Sequence, residues 1–244
     1  MAWRERGKQA LNAVAARFGA RIVGADWGPR GAFSALQRAR SLGFAPSTVV
    51  DVGASNGQWT RHCLQIFPEA RYFLVDPLEE NRAALQQLAD SHRGISMWSG
   101  AIGAAAGQLE LYRHGDQSSF LQSRDFAGRA QPVQVRTLDS FLHSENFRAP
   151  LLLKADVQGY ELEVLKGAAQ CLELAEMLLL EVSFRRFYQQ CVLADEVIAF
   201  AGACGFRVHD ICSYTQRPAD NELIQSDLLF VRESSPLFGR EGWR

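Results

Sequence analysis

The stretch Thr48–Thr60, which reads TVVDVGASNGQWT, constrains the fold more than any other part of the sequence. It begins with a β-branched run, which favours a buried strand. It breaks at Gly53, where the backbone can turn without a steric penalty from a Cβ atom. After Gly57 the apolar residues recur at helical spacing, from Trp59 to Phe67. A strand, a small-residue turn and a helix form the first half of a nucleotide-binding α/β unit, in which the helix N-terminus offers free N–H groups to a ligand.

The glycine spacing narrows the class of ligand. A dinucleotide site uses G-x-G-x-x-G, whose middle glycine admits the pyrophosphate, whereas this chain has D-x-G-x-x-x-G from Asp51 to Gly57. The carboxylate of Asp51 would repel a phosphate but suits a cationic amino group. Asp76 ends the next apolar run, 19 residues after Gly57 (76 − 57), where a Rossmann-like site places an acid on ribose hydroxyls. A ligand with an amine, a ribose and no phosphate fits S-adenosylmethionine.

Three blocks of the sequence resemble the FkbM-type family of class I S-adenosylmethionine-dependent methyltransferases. They are Val49–Thr60 with Asp76-Pro77, then Val135–Asp139 (VRTLD), then Leu153–Ala168 (LKADVQGYELEVLKGA). The resemblance spans roughly residues 40 to 232. It implies a single doubly wound, mostly parallel seven-stranded Rossmann-like methyltransferase sheet with a final antiparallel strand. It also implies O-methylation in a biosynthetic setting.

Alternating strands and helices along the chain independently predict one doubly wound α/β sheet. The expected strands are Thr48–Asp51, Arg71–Val75, Ile95–Ser99, Leu151–Ala155, Met177–Leu180, Phe206–Cys212 and Asp227–Val231. The expected helices are Leu78–Asp90, Glu161–Gln170 and Asp195–Cys204. The expected domain organisation is an N-terminal helical cap over 1–45, the methyltransferase domain over 46–232 and a C-terminal tail over 233–244.

Segments outside this alternation have less definite roles. Leu11–Phe18 and Phe33–Ala39 carry apolar residues at helical spacing, and such helices serve either as a cap on the sheet edge or as a substrate lid or dimer arm. Gln108–Tyr112 is expected to be a short extra strand, and Val133–Arg136 is expected to pair at a sheet margin. The polar segment 113–134 is expected to be a functional loop that forms one wall of the substrate pocket. Asp139 is expected to cap the short helix in which it lies.

The amino-acid composition limits which classes of binding partner are expected. The 244 residues are 47% hydrophobic, enough for a substantial core. Lys plus Arg number 26 against 27 Asp plus Glu, so no basic excess predicts a nucleic-acid surface. The five cysteines include no C-x-x-C pair, which favours a reducing cytoplasm over a disulfide or zinc framework. No signal peptide or membrane span is expected. The expected partner is a small-molecule or glycan acceptor, and a homodimer stays open.

Four acidic residues follow buried strands: Asp51, Asp76, Asp156 and Glu181. Ligands bind at the carboxyl ends of strands in a doubly wound sheet, and a buried carboxylate without a partner is costly. These acids therefore predict one polar site. The residues expected to bind the cofactor are Asp51, Gly53, Ala54, Asn56, Gly57, Asp76, Ala101 and Asp156.

Some of these residues also have structural interpretations. Asp51 would otherwise cap the helix that follows it, and Asp76 would fix the turn before Pro77. Ala101 lies in the small-residue turn Gly100–Gly103, which the resemblance places beside the adenine and which is otherwise a simple tight turn.

Asp156, Glu181 and Glu161 are the candidate catalytic residues. A hydroxyl acceptor must lose a proton, either to a general base or after a metal ion lowers its pKa. Asp156 and Glu181 suit either route, but no third ligand is evident, so Mg²⁺ is not favoured and no metal residue is assigned. Glu161 either stabilises the start of its helix or orients the substrate or Lys154. Lys154 shares a strand face with Asp156 and is expected to form a structural ion pair.

The sequence thus predicts an S-adenosylmethionine-dependent O-methyltransferase that acts on a hydroxyl of a sugar or secondary metabolite. One alternative is a non-catalytic methyltransferase-like module that binds the cofactor. Another is a nicotinamide-dependent oxidoreductase, against which the missing middle glycine and the lack of a second catalytic domain both weigh.

Overall fold

The computed structural model describes residues 31–114, 118–122 and 129–238. The helix expected over Leu11–Phe18 lies outside these residues. The helix expected around Phe33–Ala39 is α1, Ala32–Ser41, which ends before Gly43, whose φ of +101° suits a residue without a side chain. The domain boundaries at 45/46 and 232/233 stay predictions.

Strands and helices alternate from Thr48 to Ser99 and again from Leu151 to Ile211, as the sequence predicts. The remaining helices are α2 (Gln58–Ile66), α3 (Glu79–Ser91), α4 (Glu161–Lys166), α5 (Ala169–Leu174) and α6 (Ala194–Ala203). The strands are β1 (Thr48–Val52), β2 (Arg71–Asp76), β3 (Ile95–Ser99), β4 (Ala101–Ile102), β5 (Gly107–Arg113), β6 (Arg129–Arg136), β7 (Leu151–Ala155), β8 (Ala175–Ser183), β9 (Phe206–Ile211), β10 (Thr215–Gln216) and β11 (Leu223–Arg232). Short 3₁₀ turns cover Leu138–Phe141 and Pro236–Phe238.

The main sheet confirms the predicted doubly wound α/β class. Among the described residues it has eight strands, in the order β10-β11-β8-β7-β1-β2-β3, with β9 also paired to β11. The five strands from β8 to β3 in this order are parallel, and β11 joins β8 antiparallel. The eighth strand, absent from the expected seven, is the two-residue β10. β1 pairs with β2 on one side and β7 on the other, so the connections diverge there and leave a crevice at the strand ends.

A second sheet corrects the predictions for residues 100–136. Ala101 and Ile102 are not in a simple turn but form β4, which pairs parallel with β6, and β6 pairs antiparallel with β5. Residues 129–132, expected to be loop, thus belong to a strand. The strand expected at Gln108–Tyr112 and the pairing expected for Val133–Arg136 are confirmed by β5 and β6. The sheet forms because Ala101, Leu111 and Val135 share a small apolar cluster of their own with Leu78.

The region after β7 also differs from expectation. The expected single helix Glu161–Gln170 is instead two helices, α4 and α5, which separate at Gly167 and Ala168. Gly167 packs closely against the loop after β4, where a Cβ atom would lie 2.0 Å from the carbonyl oxygen of Gly103. Asp139 does not cap its own helix. Its carboxylate accepts the N–H groups of Gln170 at 3.0 Å and Cys171 at 2.9 Å, so it caps α5 instead.

Apolar packing on both faces of the main sheet fixes the strand ends. All residues of β1 and β7 are buried. Val50 and Leu153 belong to the apolar cluster on one face, whereas Val49 and Leu152 belong to the cluster on the other. Each such side chain stabilises the fold by about 1.5–3 kcal/mol when fully buried. Within 31–114, 118–122 and 129–238, every helix falls short of the length and apolar character that crossing a bilayer requires.

Gly53, directly after β1, packs closely against Asp156, directly after β7. Its φ is +77°, and a Cβ atom there would lie 1.9 Å from the carbonyl oxygen of Asp156. Gly53→Ala is therefore expected to lower the free energy of unfolding by about 2–4 kcal/mol, through backbone strain and a steric clash together. Urea unfolding monitored by circular dichroism measures this loss.

The matched control is Gly94→Ala, because Gly94 has a φ of +96° but no neighbour within 4 Å of the point where a Cβ atom would lie. This variant is expected to lose only the strain contribution, about 1–2 kcal/mol. Equal losses in the two variants would contradict the close approach of the two strand ends.

Candidate functional site

The carboxyl ends of β1, β2 and β7 border a crevice with a volume of about 250 Å³. Four of the residues predicted to bind a cofactor line it: Gly53, Asp76, Ala101 and Asp156. Parallel strands place their carboxyl ends at one edge of the sheet. That is why residues far apart in the chain meet here.

Asp76 lies at the end of β2 with its carboxylate facing the crevice. Its Oδ2 accepts the N–H of Ser55 at 2.8 Å, and its Oδ1 accepts the N–H of Leu78 at 3.0 Å and the Nδ2 of Asn81 at 2.9 Å. Burial raises the pKa of Asp76, although these hydrogen bonds oppose the rise. A carboxylate has about four acceptor positions, so one remains for a ligand. Asp76 therefore both fixes its turn and offers a hydrogen-bond acceptor to the crevice.

Asp51 occupies a different environment from the one predicted. It is fully buried and does not line the crevice. Its Oδ2 accepts the hydroxyl of Thr60 at 2.6 Å, and its Oδ1 lies 2.9 Å from the Nζ of Lys154 as an ion pair rather than a well-aligned hydrogen bond. The amino group predicted to sit on Asp51 is thus that of Lys154, from the same chain.

Lys154 links several groups at the base of the crevice. Its Nζ donates to the carbonyl oxygen of Gly53 at 2.9 Å and lies 3.8 Å from the Oδ2 of Asp156. Burial alone would lower the pKa of Lys154, but the neighbouring carboxylates, Asp51 foremost, raise it above its usual range. The expected ion pair exists, with Asp51 as the nearer partner.

Three other predicted cofactor residues face away from the crevice. Ala54 is buried in the apolar cluster behind β1. Asn56 accepts the N–H of Gln58 at 3.0 Å through its side chain, which helps to begin α2. Gly57 has a φ of +78°, and a Cβ there would lie 3.0 Å from Leu88 of α3. The glycine therefore serves helix packing, a distinction that its spacing in the sequence does not reveal.

Only one of the three candidate catalytic residues, Asp156, lines the crevice, and its side chain is 40% exposed. Glu161 is buried and turns away, because its Oε1 accepts the N–H groups of Val157 at 2.9 Å and Gly159 at 3.2 Å. Burial raises the pKa of Glu161 to about 7. Through these two hydrogen bonds, Glu161 stabilises the turn before α4.

Glu181 also lies behind the crevice lining. It is within β8, which continues to Ser183, and not at the strand end as predicted. Its Oε2 accepts the side-chain amides of Gln158 at 2.9 Å and Gln225 at 3.0 Å. Burial is the main cause that raises the pKa of Glu181 well above its ordinary value, and the charge of Asp156 is the next largest cause.

Several residues that line the crevice carry no signal in the sequence pattern. Ser55, with a φ of +47°, brings its N–H to Asp76, and no periodic pattern marks such a residue. Phe120 and Tyr160 line the crevice with ring centroids 5.3 Å apart. Phe120 falls in the segment expected to form a pocket wall, and Tyr160 falls in the third resemblance block.

The crevice therefore has two chemically different ends. One end is apolar and is lined by Leu78, Ala101, Ile102 and Leu111, while Asp156 at the end of β7 makes the other acidic. Asp76 stands between them on β2. Among the described residues, no group of three His, Cys, Asp or Glu side chains is arranged to hold a metal ion.

Comparisons with known proteins give a family and a fold. The family model of the methyltransferase FkbM domain matches residues 51–208. Methyltransferase FkbM from Methylobacillus flagellatus is 17% identical, with a TM-score of 0.50 over 80% of this chain and 46% of that one. The chain thus spans less than half the length of that relative. Magnesium protoporphyrin IX methyltransferase from Synechocystis is 15% identical, with a TM-score of 0.47 over 82% of this chain and 76% of that one. No curated protein matches.

The raised pKa of Glu161 gives a testable pH dependence of stability. Burial raises it from the ordinary 4.5 to about 7, so between these pH values the folded protein holds a proton that the unfolded chain releases. Stability therefore falls as pH rises through this window. Glu161→Gln lacks this proton but keeps an acceptor oxygen for Val157 and Gly159. Relative to wild type, its free energy of unfolding is expected to gain on the order of 2–3 kcal/mol between pH 4.5 and 7.5, measured by urea unfolding.

The control is Glu163→Gln on the same helix, where the glutamate pairs with Lys166 at the surface. This control is expected to leave the pH dependence of unfolding as it is in wild type. If Glu161→Gln also kept the wild-type pH dependence, the buried carboxyl would not titrate as described.

Proposed function

The chain belongs to the FkbM family of methyltransferases, and from this premise we propose that its crevice binds S-adenosylmethionine for methylation of a hydroxyl on a small molecule or glycan. The observation that carries the proposal is the position of the Asp76 carboxylate, between an apolar end and an acidic end of one crevice. The O-methyl specificity and the class of acceptor are drawn from the resemblance of the sequence to this family.

The apolar end suits an adenine ring. Leu78, Ala101 and Ile102 offer apolar contact there, and such surfaces bind flat heteroaromatic rings through burial from water. Asp76 follows next, and its remaining acceptor position suits a ribose hydroxyl as hydrogen-bond donor.

The acidic end suits the methionyl part of the cofactor. β2 and β7 flank β1, so Asp76 and Asp156 stand about two strand spacings apart, roughly 9–10 Å. A cationic sulfonium or amino group is favoured beside Asp156, and Gly53 lets the ligand pass close to the backbone between the two acids. S-adenosylmethionine supplies a methyl group already activated on its sulfonium, so the protein chiefly aligns the two reactants.

Asp156 is proposed to hold the proton of the acceptor. It alone among the three candidate catalytic carboxylates borders the crevice, and a general base must come within hydrogen-bond reach of the proton that it takes. Glu161 and Glu181 support the loop and the strand behind it and are not assigned this role.

Calorimetry with S-adenosylhomocysteine tests the cofactor assignment. Asp76→Asn removes the anionic acceptor and is expected to weaken binding by about 1.5–3 kcal/mol, the contribution of a hydrogen bond to a charged group. Asp90→Asn is the matched control, because Asp90 pairs only with the exposed Gln86 at the far end of α3 among the described contacts. NADH is titrated in parallel. Tight NADH binding without S-adenosylhomocysteine binding would point to an oxidoreductase instead.

Transfer of labelled methyl groups to a panel of hydroxyl and amine acceptors tests the chemistry. Asp156→Asn is expected to lower turnover at least about 100-fold, in line with loss of a general base, while the Kd for S-adenosylhomocysteine changes less than about tenfold. Equal losses of turnover and binding would assign Asp156 to the cofactor. Cofactor binding without transfer to any acceptor would favour a non-catalytic module.

A further inference from the structure

The turn that follows β7 is held in an unusual conformation. Gln158 has a φ of +55° and Gly159 a φ of +92°. A left-handed conformation costs free energy for a residue with a side chain and persists only where its surroundings fix it. Here the Oε1 of Glu161 accepts the N–H groups of Val157 and Gly159, and the hydroxyl of Ser119 donates to the carbonyl oxygen of Gln158 at 2.8 Å. The turn therefore presents the Gln158 side chain in one defined direction.

The side-chain amide of Gln158 bridges two carboxyl groups. Its Nε2 donates to the Oδ1 of Asp156 at 3.1 Å and to the Oε2 of Glu181 at 2.9 Å. An amide nitrogen has two hydrogens, so both are used. Gln225 donates a further hydrogen bond, at 3.0 Å, to the same oxygen of Glu181. Glu181 is thus the largely buried partner that fixes the Gln158 amide. The amide, in turn, orients the Asp156 carboxylate.

The two carboxyl groups that the bridge joins differ in burial and in their neighbours. Burial and the carboxylates of Asp156, Glu161 and Asp227 raise the pKa of Glu181, with Lys154 opposing. Glu181 is thus largely buried among acidic groups. Asp156 is 40% exposed, lines the crevice and stands 3.8 Å from the Lys154 ammonium, so it is the member of the pair that a ligand can contact.

We propose that Gln158 is a positioning residue whose amide holds the Asp156 carboxylate beside the reacting methylsulfonium group, and that it thereby makes the site prefer S-adenosylmethionine to S-adenosylhomocysteine. The two ligands differ only in the methyl group that makes the sulfur cationic. A fixed carboxylate attracts the sulfonium but gains nothing from the neutral thioether. The preference favours reactant binding and product release. This inference rests on the proposed cofactor.

Calorimetric titration of both ligands against wild type, Gln158→Met and Gln158→Asn tests the proposal. Methionine matches the length of glutamine without hydrogen-bond donors. Asparagine readily adopts left-handed backbone conformations, but its shorter amide does not span both carboxyl groups. In both variants the ratio of Kd for S-adenosylhomocysteine to Kd for S-adenosylmethionine is expected to fall about three- to fivefold. The matched control, Gln225→Met, removes a donor from the same Glu181 oxygen and is expected to keep the wild-type ratio.

The ratio of the two Kd values distinguishes a loss of positioning from a general structural defect, because such a defect weakens the binding of both ligands alike. An unchanged ratio in a folded Gln158→Asn variant, with melting temperature close to wild type, overturns the proposal even if Gln158→Met does not fold. An equal fall in the ratio for Gln225→Met overturns it too. Failure of wild type to bind either ligand would instead refute the proposed function itself.

Discussion

The ammonium group of Lys154 joins the ends of β1 and β7, and the shape of the crevice depends on that contact. It lies 2.9 Å from a carboxylate oxygen of Asp51, donates to the carbonyl of Gly53 and stands 3.8 Å from Asp156. Breaking a buried ion pair by removing one partner typically costs about 3–5 kcal/mol. Asp51 is buried beside Lys154 and does not line the crevice, whereas Asp156 does.

The two ends of the crevice come from different parts of the fold. The main sheet supplies Asp76 and Asp156, since parallel strands align their carboxyl ends. The small second sheet supplies Ala101 and Leu111, which give the opposite end its apolar character. A ligand that is apolar at one end and cationic at the other, with a hydrogen-bond donor between, would complement both ends. S-adenosylmethionine, the proposed ligand, has these three features.

Local sequence patterns predict the strands and helices better than they predict the contacts between residues far apart in the chain. β7 matches its expected bounds to the residue because a continuous apolar run encodes a buried strand locally. β3 matches its expected bounds too, although its residues are only partly buried. The pairing of Ala101 with Val135 is not local, so β4 resembles a turn in the sequence. In the sequence, Asp51 has the position of a ligand-binding residue. Its ion pair with Lys154 gives no sign there, because Lys154 comes from a strand far along the chain. Gln158 lies within the third resemblance block, but neither its left-handed backbone nor its two carboxyl partners follow from any periodicity.

A crystal structure of the protein with S-adenosylhomocysteine tests the central claim most directly. We expect the ribose hydroxyls within hydrogen-bond distance of the Asp76 carboxylate, the adenine between Leu78 and Ile102, and the sulfur facing Asp156. Electron density for the ligand outside this crevice, or with its ribose away from Asp76, would contradict the cofactor assignment.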